Sequence, residues 1–176
     1  MKSQLRKLAL QKRKELDVQT LSERIMNNLY SLEEYKRAKN VLTYFPLKYE
    51  VQTQACLKDD LKTWYLPRVT GDDLEVCLYD KEQLSKGNFN ILEPTNEKMQ
   101  DLNFINLVII PCVAADKKGY RIGYGKGYYD RFLPNLPKSC KKVLLVYSNL
   151  LFDDVFHSDF DVCSDIVVTD KEIFRI

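Results

Sequence analysis

The spacing of apolar residues predicts that the chain begins with two helices. Near the N-terminus they recur at helical spacing: Leu5, Leu8, Ala9 and Leu16. A second amphipathic pattern starts at TLSERIMNNLYSL, where Thr20 and Glu23 have the spacing of a capping box. We therefore expect the second helix to begin near Thr20.

Short apolar segments farther along predict buried strands. These are NVLTYF (40–45), TWYLP, which Pro67 would end, INLVII (105–110), KVLLVY (142–147) and DIVVT (165–169). LEVCLY (74–79) alternates and predicts an antiparallel or edge strand. VQTQACLKDDLK predicts a helix, and the turn-forming residues of GNFNILEPTNE predict a loop.

Apolar strands separated by helices indicate an α/β fold, with three α/β/α layers and a largely parallel central sheet. Ligands of such sheets bind beyond the carboxyl ends of the strands. After the most apolar strand come the loop PCVAADKKGYRIGYG and a helix from about Lys126 to Leu133. The pattern therefore predicts a ligand site in this loop.

Composition narrows the class of protein. The 176 residues fit one domain, 1–176, and 45% apolar with 30% charged residues is typical of a soluble globular chain. A net charge of +2 is too balanced for a general nucleic-acid binder. We expect a monomer that binds small molecules, with neither nucleic acid nor membrane as a partner.

Five widely spaced cysteines without a C-x-x-C pair predict buried thiols in a reducing compartment. Charges interrupt the N-terminal segment every few residues, so it lacks the apolar core of a signal peptide. The run INLVIIPCVAA is too short to cross a bilayer. These features together predict a cytoplasmic protein.

Three alternating glycines, Gly123, Gly125 and Gly127, let backbone N–H groups turn toward one ligand. Arg121 and Lys126 add positive charge, a combination that suits a phosphate. The pattern is neither a Walker A loop nor a dinucleotide fingerprint. On glycine spacing alone, a flexible loop is an equal alternative.

Aromatic and acidic side chains follow the glycines. Tyr124 and Tyr128 could stack on a flat heterocycle, whereas we expect Tyr129 to pack in the core. Asp130 could hold Mg²⁺ beside a phosphate. An exposed ion pair of Asp130 with Arg131 is the alternative.

Lys2 and Arg6 lie four residues apart, hence on one face of the first helix. Their charges repel each other and oppose the helix dipole, and a bound polyanion would reverse both effects. Spacing alone favours the alternative, a solvated basic face shared with Lys7, Lys12, Arg13 and Lys14.

Carboxylates near predicted strand ends are further candidates. Glu50 follows YFPLKY, and Asp161 lies in HSDFDVCSD before the last predicted strand. Solvation of strand ends explains both, and ligand or metal contact is the alternative. The single histidine, His157, is predicted to be a surface residue.

The segment PCVAADKKGYRIGYGKGYYDRFL resembles the signature of 5-formyltetrahydrofolate cyclo-ligases, also called 5,10-methenyltetrahydrofolate synthetases. The likeness continues in order through KSQLR, YFPLKYEVQT, YLPRV, ILEP and, after the signature, FDVCSDIVVTD. It implies a three-layer α/β/α enzyme that uses ATP and Mg²⁺ to convert 5-formyltetrahydrofolate into 5,10-methenyltetrahydrofolate, with release of ADP and phosphate.

The resemblance also implies residue roles. The nucleotide site would comprise Lys2, Arg6, Arg121, Ile122, Gly123, Tyr124, Gly125, Lys126, Gly127, Tyr128 and Tyr129. The folate would contact Phe45, Glu50, Tyr124, Gly125, Lys126, Gly127 and Tyr128. Catalysis would rest on Arg121, Lys126 and Tyr128, and the metal on Asp130 and Asp161.

The chain departs from the family pattern at several positions. Ala115 stands where Phe is usual, Cys112 where Gly is common and Gln52 where Asp is frequent, changes we expect to affect packing. The largest departure precedes Asp161, where the family's Pro, Glu and His are replaced. The residues found there are Phe156, Ser158 and Phe160.

Two other function classes stay open from the residues alone. Basic residues interleaved with tyrosines could bind single-stranded nucleic acid, although the balanced charge argues against it. A regulator that binds nucleotide or folate without turnover would show no folate-dependent release of ADP.

Overall fold

A computed structural model describes residues 1–87 and 90–176 of the chain. The helices are α1 (Lys2–Lys12), α2 (Val18–Ser31), α3 (Glu33–Arg37) and α4 (Tyr128–Phe132). The strands are β1 (Asn40–Leu42), β2 (Thr63–Thr70), β3 (Asp73–Leu78), β4 (Leu84–Lys86), β5 (Leu92–Pro94), β6 (Leu107–Ile110), β7 (Ala114–Asp116), β8 (Arg121–Ile122), β9 (Lys141–Leu145), β10 (Leu151–Phe152), β11 (Ile166–Val168) and β12 (Ile173–Arg175).

The main sheet has seven strands in the order β12-β11-β9-β6-β1-β2-β3. Its five inner strands are parallel, and the edge strands β3 and β12 are antiparallel to their neighbours. All four residues of β6 are buried, and because successive side chains alternate between faces, both faces are covered there. The predicted α/β class, the largely parallel sheet and the edge strand at LEVCLY are confirmed.

The predicted loop PCVAADKKGYRIGYG contains a hairpin. β7 and β8 pair antiparallel, and β10 joins β7 to make a second sheet. The Asp116 carboxylate accepts hydrogen bonds from the N–H groups of Lys118 and Tyr120, both at 3.0 Å, which closes the turn. Strands of three and two residues are too short to show alternation, so the pattern missed them.

Pro67 does not end β2, contrary to expectation, because it lies opposite Val76 within the strand. The Tyr65 carbonyl accepts from the Thr43 N–H on the side of β1. Alternate residues direct their backbone groups to the same side, so Pro67 faces that side too. β1 has already ended there, and no neighbouring strand needs an N–H from the proline.

Other boundaries also differ from the sequence pattern. α2 begins at Val18 and is capped by Asp17, whose carboxylate accepts from the Thr20 N–H at 3.2 Å, rather than by Thr20. VQTQACLKDDLK forms only a 3₁₀ turn, Gln54–Lys58. In GNFNILEPTNE, β5 pairs with β4, and residues 88–89 lie outside the described residues.

One cluster of buried side chains extends from Ala9 to Val168. All five cysteines are free, and Cys56, Cys77 and Cys140 are fully buried, as expected of small apolar side chains. Burial raises the pKa of Cys56 and of Cys140 to about 12, so these thiols stay protonated. In the described part of the chain, no helix is long and apolar enough to span a bilayer.

Candidate active site

A cavity of about 580 Å³ lies beyond the carboxyl ends of β1 and β6 and beside the C-terminal half of β2. This is where a parallel sheet is expected to bind its ligand. One side is polar and the other apolar, because different elements contribute to each. The charged lining residues are Lys2, Arg6, Glu50, Glu93, Arg121, Lys126, Asp130 and Asp161.

The structure brings nearly all of the predicted site residues to this cavity. The lining includes Lys2, Arg6, Phe45, Glu50, Arg121, Gly123, Tyr124, Gly125, Lys126, Gly127, Tyr128, Tyr129, Asp130 and Asp161. Ile122 is the exception, since its side chain is completely buried in the core. Any contact between Ile122 and a ligand would therefore have to use its backbone.

The face of α1 that carries Lys2 and Arg6 packs against the site rather than facing solvent. Lys2 Nζ lies 2.7 and 2.6 Å from the two carboxylate oxygens of Asp161. Arg6 Nε donates to the Gly123 carbonyl at 2.8 Å. Lys7, Lys12 and Lys14, by contrast, are exposed, so the solvated basic face describes only these other lysines.

The Asp161 carboxylate accepts hydrogen bonds from two residues, Lys2 and Ser158. Besides Lys2, the Ser158 N–H donates to Asp161 Oδ2 at 2.6 Å and the Ser158 hydroxyl does so at 3.1 Å. Partial burial acts to raise the pKa of Asp161, but the hydrogen bonds from Lys2 and Ser158 outweigh it and lower the pKa. Both carboxylate oxygens are therefore engaged by the protein itself.

A second ion pair joins Arg121 to Asp130, with Arg121 Nη2 and Asp130 Oδ1 2.7 Å apart. Arg121 is only 5% exposed, and its Nη1 also donates to the Val162 carbonyl at 3.1 Å. The Val162 N–H approaches Asp130 Oδ1 at 3.3 Å. Across residues 1–87 and 90–176, Asp130 Oδ2 has no hydrogen-bond partner and lies available beside the cavity.

The alternative pairing of Asp130 with Arg131 is not found. Arg131 instead donates to the carbonyl oxygens of Asp72 and Lys126, and its guanidinium lies 5.6 Å from the centre of the Tyr128 ring. Arg131 thereby ties the end of the glycine turn to the chain segment before β3.

The glycine turn depends on backbone angles that only glycine adopts easily. Gly125 has φ +95° and Gly127 has φ +70°. A Cβ on Gly125 would also lie 3.5 Å from the Arg6 guanidinium. α4 begins after this turn at Tyr128 and has five residues, not the longer helix from Lys126 that the sequence predicts, so its dipole contributes little.

Tyr124 connects two buried charges below the turn. Tyr124 is 42% exposed and lines the cavity, whereas its hydroxyl donates to Glu50 Oε1 at 2.8 Å and accepts from Arg13 Nη1 at 2.8 Å. Glu50 is 5% exposed, and burial raises its pKa. Arg13 was predicted only as part of a basic face, so its burial was missed.

The apolar side of the cavity was also missed as a site. It comprises Tyr44, Leu47, Pro67, Val69, Leu74, Ile91, Leu92 and Pro111. These residues lie on β2 and β3, on or just before β5, and in the segments after β1 and β6, so no local pattern joins them. The segments YLPRV and ILEP, quoted above for their likeness to a family, were the available signal.

His157 lies outside the cavity. It is exposed and stacks on the Tyr120 ring with 3.7 Å between ring centres, in agreement with a surface residue. Asp116 and Asp154 lie near it, but the Asp116 carboxylate is already used by the hairpin turn.

Comparison with known proteins gives a coherent result. Residues 1–170 match the model of the 5-formyltetrahydrofolate cyclo-ligase family. A 5-formyltetrahydrofolate cyclo-ligase of Mycoplasma pneumoniae is 32% identical over 97% of this chain and 99% of its own length. A probable 5-formyltetrahydrofolate cyclo-ligase of Schizosaccharomyces pombe is 36% identical over 67% of this chain and 62% of its own length.

The fold is similar to that of a solved structure. The NMR structure of Aquifex aeolicus 5,10-methenyltetrahydrofolate synthetase superimposes with a TM-score of 0.87 and 34% sequence identity, covering 99% of this chain and 92% of the other.

Proposed function

The chain belongs to the 5-formyltetrahydrofolate cyclo-ligase family, and we propose that it cyclises 5-formyltetrahydrofolate to 5,10-methenyltetrahydrofolate. We propose ATP as co-substrate, Mg²⁺ as cofactor, and ADP and phosphate as products. One observation carries this proposal: a single cavity combines a cationic side suited to a triphosphate with an aromatic and apolar side suited to a pteridine.

The chemistry explains why ATP is needed. A formamide is a poor electrophile because its nitrogen lone pair is delocalised, and its oxygen is a poor leaving group. Transfer of the γ-phosphoryl group to the formyl oxygen releases ADP and leaves an electrophilic iminium carbon. The second folate nitrogen attacks that carbon and loses its proton, and the C–O bond breaks with departure of phosphate.

No protein nucleophile takes part in this sequence, so the protein acts by positioning and charge neutralisation. Lys2, Arg6 and Arg121 would bind the phosphates. Lys126 is exposed, and its side chain forms no hydrogen bond within the described ranges, so it is free to reach the transferred phosphoryl group. Tyr128, at the start of α4, would lie between the two substrates.

Of the two predicted metal ligands, Asp130 fits a ligand of Mg²⁺ and Asp161 does not. Asp130 has one oxygen without a protein partner, and carboxylate oxygens suit this ion. Asp161 has both oxygens committed to Lys2 and Ser158, which fits a counter-ion for Lys2 better than a metal ligand. Bound Mg²⁺ would offset negative charge on the phosphates.

The folate would occupy the aromatic and apolar side of the cavity. Phe45, Tyr124 and Tyr128 supply aromatic surfaces for a flat ring. Glu50 supplies a buried carboxylate oxygen that can accept from ring N–H groups, the donors that a pteridine presents. The apolar residues of β2, β3 and β5 would cover the rest of the ring system.

A direct assay tests the proposal. Purified protein is mixed with 5-formyltetrahydrofolate, ATP and Mg²⁺, and the absorbance of the methenyl product is followed while ADP is measured in parallel. We expect equal amounts of both products, and neither product when ATP or folate is omitted. Folded protein that binds ATP but forms no methenyl product would refute the proposal in favour of a silent binder.

A further inference from the structure

Arg13 is a buried cation with an unusual set of contacts. It lies in the 3₁₀ turn after α1, Arg13–Glu15, and is 6% exposed. Its Nη1 donates to the Tyr124 hydroxyl at 2.8 Å, and its guanidinium carbon lies 5.3 Å from the centre of the Tyr124 ring. Within the described ranges, its Nε is buried without a partner, and no carboxylate contacts it directly.

A buried charge without a counter-charge is unfavourable, so the positive charge of Arg13 needs a compensating group nearby. The compensating group lies on the far side of the Tyr124 hydroxyl, which donates to Glu50 Oε1 at 2.8 Å. Glu50 Oε2 accepts from the Leu47 N–H at 2.7 Å. The phenol therefore bridges a buried guanidinium and a buried carboxylate.

The groups facing Glu50 make Arg13 the source of charge compensation. Around Glu50 stand Arg13, Tyr44, Cys112, Tyr124, Tyr129 and Tyr147. Burial raises the pKa of each of these phenols and of the thiol, so they are uncharged at neutral pH. Burial also raises the pKa of Glu50, and the hydrogen bonds from the Leu47 N–H and the Tyr124 hydroxyl, followed by the charge of Arg13, oppose that shift.

We propose that Arg13 is a positioning residue for the folate side of the cavity, holding the Tyr124 hydroxyl in place and keeping Glu50 a carboxylate. This rests on the proposed function. An ionised Glu50 keeps a further lone pair on each carboxylate oxygen for ring N–H groups, beside the hydrogen bonds from Tyr124 and Leu47, whereas a protonated Glu50 offers a donor where an acceptor is needed. Arg13 itself does not line the cavity, so it acts only through Tyr124 and Glu50.

Arg13→Met removes the charge while keeping an apolar stem of similar length. The matched control is Lys14→Met, which removes the same charge from the exposed neighbouring residue. Because breaking a buried charge pair is costly, we expect Arg13→Met to raise the KM for 5-formyltetrahydrofolate about tenfold or more. The KM for ATP should stay within about twofold in both variants, since Arg13 does not reach the cationic side.

The pH profile separates this role from a merely structural one. In the wild type, kcat/KM for the folate should fall as pH drops through the pKa of Glu50. Without Arg13 that pKa rises further, so the acid limb of the profile should move to higher pH. Glu50→Gln has no carboxylate to titrate, so adding Arg13→Met to Glu50→Gln should move no limb.

Tyr124→Phe provides a second test if Arg13→Met does not fold. It keeps the ring but removes the bridging hydroxyl, so the acid limb should again move upward. An acid limb that stays at the wild-type pH in both variants would overturn the proposal. Failure of the proposed function is distinguishable, because the wild type itself would then form no methenyl product.

Discussion

Single residues show that the protein itself already balances part of the positive charge on the cationic side of the cavity. Lys2 pairs with Asp161, Arg121 pairs with Asp130, and Arg6 donates to a backbone carbonyl. A polyanion would therefore exchange with, or add to, the partners of these three cations, and would also meet Lys126, whose side chain has no partner among the described contacts. The two carboxylates have different capacities for a cation, because only Asp130 keeps a free oxygen among the described contacts.

This difference predicts unequal effects of removing each carboxylate. We expect Asp130→Asn to raise the Mg²⁺ concentration needed for half-maximal turnover about tenfold, because a proposed metal ligand is lost. Asp161→Asn should leave the Mg²⁺ requirement within about twofold and alter the KM for ATP, because Lys2 loses its partner. The measurement is turnover against Mg²⁺ concentration at saturating ATP.

Asp159→Asn is the matched control, since it removes an exposed carboxylate from the same segment as Asp161. Asp159→Asn should change neither the Mg²⁺ requirement nor the KM for ATP. An Mg²⁺ requirement that rises equally in the variants of Asp130 and Asp161 would make Asp161 a metal ligand as well.

Among the secondary-structure elements, short ones place many of the candidate site residues. β7 and β8 have three and two residues, and together they position Arg121 at the cavity. α4 has five residues and follows a turn that needs glycine at Gly125 and Gly127. α1 contributes differently, because its first turn carries Lys2 and Arg6 while its first fully buried residue is Ala9.

The position of α1 predicts that the site depends on it more than the core does. Deletion of residues 1–6 removes both cations but leaves Ala9 and the core cluster, so we expect turnover to fall at least about a hundredfold with a modest drop in Tm. Activity and Tm are measured on the same preparation. Retention of near-wild-type turnover would show that α1 does not contribute to phosphate binding.

At the scale of the whole molecule, the site joins segments that are distant in sequence. Lys2 meets Asp161, and Glu50 meets Tyr124, across 159 and 74 residues respectively. Parallel strands contribute to this assembly, because the segments after β1 and β6 and the C-terminal half of β2 line the cavity at the same edge of the sheet. The core cluster beneath these strands keeps the edge in place.

Such an assembly predicts that ligands stabilise distant segments together. With a non-hydrolysable ATP analogue and Mg²⁺ bound, amide hydrogen exchange should slow in α1, in residues 121–130 and in residues 158–162 at the same ligand concentration. Exchange in β3 and β12, at the sheet edges, should change little. Protection confined to one of the three segments would contradict a shared nucleotide site.

The sequence alone determined the fold class, the central strands and the segment that lines the cavity. Local apolar spacing is sufficient for the strands because it directly reflects burial on two faces, as at 107–110. For Lys2 and Arg6 it favoured a solvated basic face, whereas the structure packs both side chains against the cavity. The likeness of several ordered segments to one family implied the residue roles proposed above, which the spacing of glycines could not.

The tertiary structure alone decided which charges pair and which residues are buried. Arg13 and Lys14 are adjacent basic residues, yet one is buried against Tyr124 and the other is exposed, because the packing of α1 selects between them. The hairpin of β7 and β8, the cap at Asp17 and the apolar side of the cavity were missed for a related reason. Each of these three features depends on contacts between a few residues or between distant segments. Such contacts leave no periodic pattern in the chain.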